Sequence, residues 1–140
     1  MTDFDIFPDS EYLAVKILKA AVTAGQFASH TPRIGTRIPA SPDFSKGVLT
    51  VQRIGGVPTQ RRRLDHPCIQ VDVWHDIKKD AHSIAQLARV ALFKAEGKVY
   101  AKPPAVVTGT EDALGVQWQF DSINLKPRYL FRVYLTVHNV

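Results

Sequence analysis

The segment "IKKDAHSIAQLARVALFKAEG", residues 77–97, constrains the fold most. Ile77, Ala81, Ile84, Ala88, Ala91 or Leu92, and Ala95 recur at helical spacing, and Gly97 closes the run. A helix over about 77–96 therefore carries one apolar stripe, which must be buried against another apolar surface. A second stripe, Leu13, Ile17, Ala20, Ala21 and Ala24, predicts a helix over about 9–24. Asp9 or Ser10 can cap its start and Gly25 can end it, while Lys16 and Lys19 lie off the stripe.

Strands supply the surface those helices need. In "GVLTVQRI", 47–54, Val48, Thr50, Gln52 and Ile54 face one way and Leu49, Val51 and Arg53 the other. "PCIQVDVWH", 67–75, alternates more cleanly, with Ile69, Val71 and Val73 opposite Cys68, Gln70, Asp72 and Trp74. These two strands are expected to pair across the stretch that joins them. "VQWQF", 116–120, and "RYLFRVYLTVH", 128–138, predict two more. In the last, Tyr129, Phe131, Val133, Leu135 and Val137 line one face. Leu130, Arg132, Tyr134, Thr136 and His138 line the other, which is amphipathic rather than simply polar. "RIGTRI" is a candidate short edge strand because prolines bracket it. "KPPAVVTGTEDALG" reads as an irregular connection with at most a brief strand at Val106.

The economical solution is an α+β fold: a mostly antiparallel, four- to five-stranded sheet with two helices packed on one face. With 140 residues and no internal repeat or low-complexity tract, the chain 1–140 is expected to form a single domain.

Composition narrows the function. Hydrophobic residues at 45% and charged residues at 22% are ordinary for a soluble globular protein. The single cysteine, Cys68, excludes an internal disulfide. No apolar run approaches the roughly 20 residues that span a bilayer, and "MTDFDIFPDS" lacks the basic-then-apolar pattern of a secretory signal. Folding in a cytoplasm, without a membrane partner, is the expectation. The net charge of +5 favours weak association with nucleic acid or acidic surfaces. The basic residues are spread along the chain with one dense knot, Arg53, Arg61, Arg62 and Arg63, a weaker pattern than the basic face of a dedicated DNA binder.

Residues with catalytic chemistry do not converge. His66 and Cys68 are two apart, but a nucleophile needs a lowered thiol pKa and an oriented base, and a small buried strand cysteine is the simpler reading. Asp72, His75, Asp76, Asp80 and His82 lack tight metal-ligand spacing, and Asp76 and Asp80 sit where acidic residues favour a helix N-terminus. Gly55-Gly56 leads through Val57-Pro58 into arginines and another strand, whereas a phosphate loop opens into a helix. Neither catalytic residues, nor a metal, nor a cofactor are expected. The triple arginine leaves three readings open: a solvated tip whose charges discourage edge aggregation, a contact to another protein chain, or a contact to phosphate. No aromatic residues interleave it, so base stacking is not favoured.

Four blocks, "GVLTVQRIGG", "RLDHPCIQVDVWH", "AHSIAQLARVAL" and "PRYLFRVYLTVH", together resemble the tail terminator proteins of long-tailed bacteriophages, especially those of actinobacteria. The resemblance runs from about residue 47 to 138, and "VDVW", Val71 to Trp74, is its most specific part. It implies a small α/β subunit that assembles into a ring, typically a hexamer, without enzymatic activity or cofactor. The ring caps the head-proximal end of the tail tube, stops its polymerisation and joins it to head-completion (stopper) proteins, while DNA passes through its lumen. The site implied is the head–tail junction of a virion assembled in the host cytoplasm. Arg53, Arg61, Arg62, Arg63, Leu130, Arg132 and Tyr134 are the candidate contacts to neighbouring subunits, the tube or the lumen. The stretch from Gly56 to Asp65 is richer in arginine, and the 103–114 segment longer, than the usual pattern. Another head–tail connector, or a small nucleic-acid-binding module, is the alternative.

Overall fold

The structure is a computed structural model, described here for residues 6–58 and 64–139. Helix α1, Ser10–Thr23, begins where the Asp9 carboxylate accepts the backbone N–H groups of Glu11 and Tyr12 at 3.0 and 3.2 Å. That satisfies donors a helix start leaves unpaired. Strands β1, Arg33–Gly35, and β2, Val48–Gly55, run parallel, and β2 pairs antiparallel with β3, Cys68–Trp74. Helix α2, Lys78–Phe93, follows. Strands β4, Val99–Ala101, β5, Pro104–Trp118, and β6, Arg128–His138, complete one six-stranded sheet in the order β1-β2-β3-β6-β5-β4.

Both apolar stripes meet one sheet face. Leu13, Leu18, Ile84 and Leu92 from the helices are wholly buried with Leu49, Val51, Ile69, Val71, Phe131, Val133 and Leu135. The strand residues follow a period of two, so they share a face, and registers such as Val51↔Val71 and Val71↔Phe131 align them across the sheet. The apolar area removed from water here is the main drive for the fold.

Three expectations need correction. The sheet has six strands, because the candidate edge strand forms β1 and Val99–Ala101 forms β4. The 103–114 segment is not an irregular connection: it belongs to β5, which also absorbs the start of the strand expected at 116–120. Only Ala105 and Val107 of β5 are buried, and its pairing with β6 shifts register after Val107, Asp112 and Leu114. Pairing with β6 rather than an alternating pattern therefore makes this segment a strand. Third, Asp76 does not cap α2. It pairs with Lys126 at 2.7 Å, while His75 Nδ1 accepts the Ile77 N–H at 2.9 Å.

Candidate functional site

The arginine-rich connection between β2 and β3 leaves and re-enters the sheet through a polar staple. Arg53 lies near the end of β2, and its guanidinium donates to both oxygens of the Asp65 carboxylate at 2.6 and 2.8 Å. It also donates to the carbonyls of Gly55 and Gly56, each at 3.1 Å. The hydrogen bond to Asp65 raises the Arg53 pKa. Asp65 is buried and exchanges backbone hydrogen bonds with Val137 on β6, at 2.7 and 2.9 Å. The Arg53 N–H donates to Glu11 of α1 at 2.8 Å. A two-pronged arginine–carboxylate pair of this kind fixes geometry as well as charge.

Gly56 serves close packing, not phosphate binding. Its φ is +94°, and a Cβ there would lie 1.7 Å from the His66 carbonyl oxygen, so only glycine fits. Gly55 has open space around its Cβ position and sits at the register shift opposite Cys68. Arg61, Arg62 and Arg63 lie outside the described residues.

The sheet face away from the helices carries a row of polar groups. Arg132 Nε donates to Gln70 Oε1 at 2.9 Å, Gln70 Nε2 donates to Asp72 Oδ2 at 3.0 Å, and Arg128 donates twice to Asp72 Oδ1 at 3.0 and 2.7 Å. The Arg128 guanidinium lies 5.2 Å from the Trp74 ring centre, a cation–π distance. Tyr134 on this face is exposed, whereas Leu130 is buried. Of the candidate contacts, Arg53 is bound to Asp65 within its own subunit and Leu130 is buried. Arg132, half-buried and bonded to Gln70, and the exposed Tyr134 lie on this outer face.

Sequence reasoning missed the connection between β5 and β6. Asp121 is buried there, where Trp74 Nε1 donates to it at 2.5 Å. The backbone N–H groups of Ile123 and Asn124 and the Asn124 side chain donate to it as well. Burial pushes this carboxyl up, but the donors from Asn124, Ile123 and Trp74 outweigh it and hold the pKa at about 2. Around this hub stand Trp118, Phe120, Ile123 and Leu125, all exposed, Ile123 by 88%. The signal was present as four large apolar residues in "WQFDSINL", where a plain surface turn would be polar.

Catalytic groups do not gather among the described residues. Burial pushes the Cys68 thiol up, away from the reactive thiolate, and His66 Nδ1 lies 3.2 Å from Thr136 Oγ1. Among the described residues no cluster of three or more His, Cys, Asp or Glu could hold a metal ion, and no helix is long and apolar enough to cross a membrane.

Fold and surface together define an α+β chain with a single six-stranded sheet, helices on one face and polar or apolar surface features elsewhere. No family model matches the sequence, and no curated protein matches it. Among solved structures, the fold is similar to that of a chain in the virion of a native gene transfer agent particle. The TM-score is 0.63 at 14% identity, covering 90% of this chain and 92% of that one.

Proposed function

We propose that this chain is a structural subunit of a phage-like virion and acts there as a tail terminator. Copies form a ring, a hexamer, that caps the head-proximal end of the tail tube and stops its polymerisation. The ring then joins the tube to the head-completion (stopper) protein, and DNA passes through the lumen without sequence-specific binding. The likeness of nearly the whole fold to a gene transfer agent virion chain supports the virion role, and the resemblance of the blocks within 47–138 to tail terminators supports the terminator position.

The surface chemistry supports it. A ring subunit needs two different contact surfaces that meet head-to-tail and close. The face of Arg132 and Tyr134 and the apolar tip at 118–125 give it two that its own fold leaves outward. A row of arginine, glutamine and aspartate suits a partly polar subunit contact. The function has no covalent step and requires no cofactor. Its place is the head–tail junction of a virion assembled in the host cytoplasm.

The test is electron microscopy of particles made without this chain. A terminator's loss leaves the tube uncapped, so tubes far longer than normal and separate from filled heads are expected. Tails of normal length that fail to join heads would assign the chain to the stopper position. Intact, joined particles would overturn the virion role.

A further inference from the structure

Two grooves near opposite ends of the sheet are lined by charged side chains of opposite sign. At one end, β1 has a strand partner on one side only among the described residues. Beside it runs a groove of about 530 Å³ with Val22 and Ile34 among its lining and Lys19 and Arg33 at its rim. Lys19 and Arg33 are exposed and have no ion-pair partner among the described residues. At the other end, β4 pairs with β5 only over the first three residues of β5, Pro104, Ala105 and Val106. The Val107 backbone bonds Lys98 and Gly97, and the Thr110 N–H is taken by the Glu96 carboxylate at 2.9 Å. From Glu111 to Trp118 the outer edge of β5 has no strand partner among the described residues. A groove of about 450 Å³ opens next to the start of this edge, over β5 and β6, with Glu96 and Glu111 in its lining beside Tyr134 and Thr136.

Asp112 is neutralised by Arg89 of α2, which leaves the exposed Glu111 without an ion-pair partner among the described residues. Lys94 and Lys98 line a different cleft, between the two helices. Six strands set the two ends about 24 Å apart, so one subunit cannot bring them together. The bulges in β5 bend its edge but do not cover it. An uncovered strand edge of this length is a template for pairing with another chain.

We propose that the partner is a second copy of this chain: the β5 edge at Glu111–Trp118 of one subunit docks in the basic groove beside β1 of the next. Glu96 and Glu111 meet Lys19 and Arg33, and the backbone edge of β5 extends the neighbour's sheet beyond β1. Each subunit donates one end and accepts at the other, so the contact is heterologous and closes into a ring. This inference rests on the ring reading and names the contact that builds it.

The experiment measures assembly mass by native mass spectrometry for four samples of the full chain. These are wild type, K19E with R33E, E96K with E111K, and an equal mixture of the two double variants. Wild type should form a closed ring that loses subunits as salt rises, because exposed charge pairs are screened. Each double variant should fall to monomer, since like charges then face each other. The mixture should regain rings in which the variants alternate, and this recovery also shows that both variants are folded. Rings that persist in both separate variants, or that ignore salt, would overturn this contact while the ring reading stands. Separate monomers that do not recover on mixing, although their unfolding temperatures match wild type, would also overturn it. A wild-type chain that stays monomeric at high micromolar concentration would remove self-assembly from both readings.

Discussion

Gly56 and Asp121 are two residues at which a small change should have a large and specific effect. Gly56→Ala places a methyl group 1.7 Å from the His66 carbonyl oxygen, at a φ of +94° that alanine disfavours. Gly55→Ala enters open space. Gly56→Ala should therefore lower stability by more than about 1 kcal/mol, while Gly55→Ala stays within about 0.5 kcal/mol. Urea unfolding of the two variants side by side checks this, and equal midpoints would contradict it. Asp121 gives a pH prediction. Its folded pKa of about 2 lies below the ordinary aspartate value of about 3.9. The ionised carboxylate thus contributes stability above about pH 4, and that contribution disappears as pH falls through 2. In a W118F background, Trp74 fluorescence should change over that range through its hydrogen bond to Asp121. Asp121→Asn should abolish the change; an identical acid titration in that variant would contradict the assignment.

Elements differed in how far the sequence revealed them. The two helices and β2, β3 and β6 were legible because each carries an apolar period that the core uses, from Leu13 through Val71 to Val137. Strand β5 was not, because its outer half packs against no helix stripe and its bulges break the alternation at Gly109 and Leu114. Similarly, the arginine knot was visible at once, but not that Arg53 turns inward to Asp65, a residue twelve positions away. Contacts of that kind depend on which chain ends the fold brings together, and no local pattern encodes them. The staple anchors both sides of the connection, so replacing Arg61, Arg62 and Arg63 by alanine should leave the thermal midpoint unchanged and weaken assembly onto tails. Unaltered recovery of the triple variant with tails would contradict that role. The apolar tip makes a parallel case. Ile123→Ser with Leu125→Ser alters residues exposed by 88% and 73%. Stability should change by no more than about 0.5 kcal/mol per site, while incorporation into particles falls. Normal incorporation would show the tip to be uninvolved.

At the scale of the whole molecule, the sheet has a covered side and an open side. The helices bury the apolar part of one face, from β1 to the first residues of β5, as a sheet of this kind requires. The opposite face holds its polar groups in an ordered row instead of leaving them to water. Such an arrangement suits a subunit that uses its first face for its own stability and its remaining surfaces for neighbours. The central claim is positional: this chain sits at the junction between tail tube and head. The most direct measurement is cryo-electron microscopy of complete particles carrying a small fused tag on the chain. The account predicts one ring of tag density where the tube meets the head-completion proteins, and none along the tube. Density along the tube, at the distal tip or inside the head would contradict it.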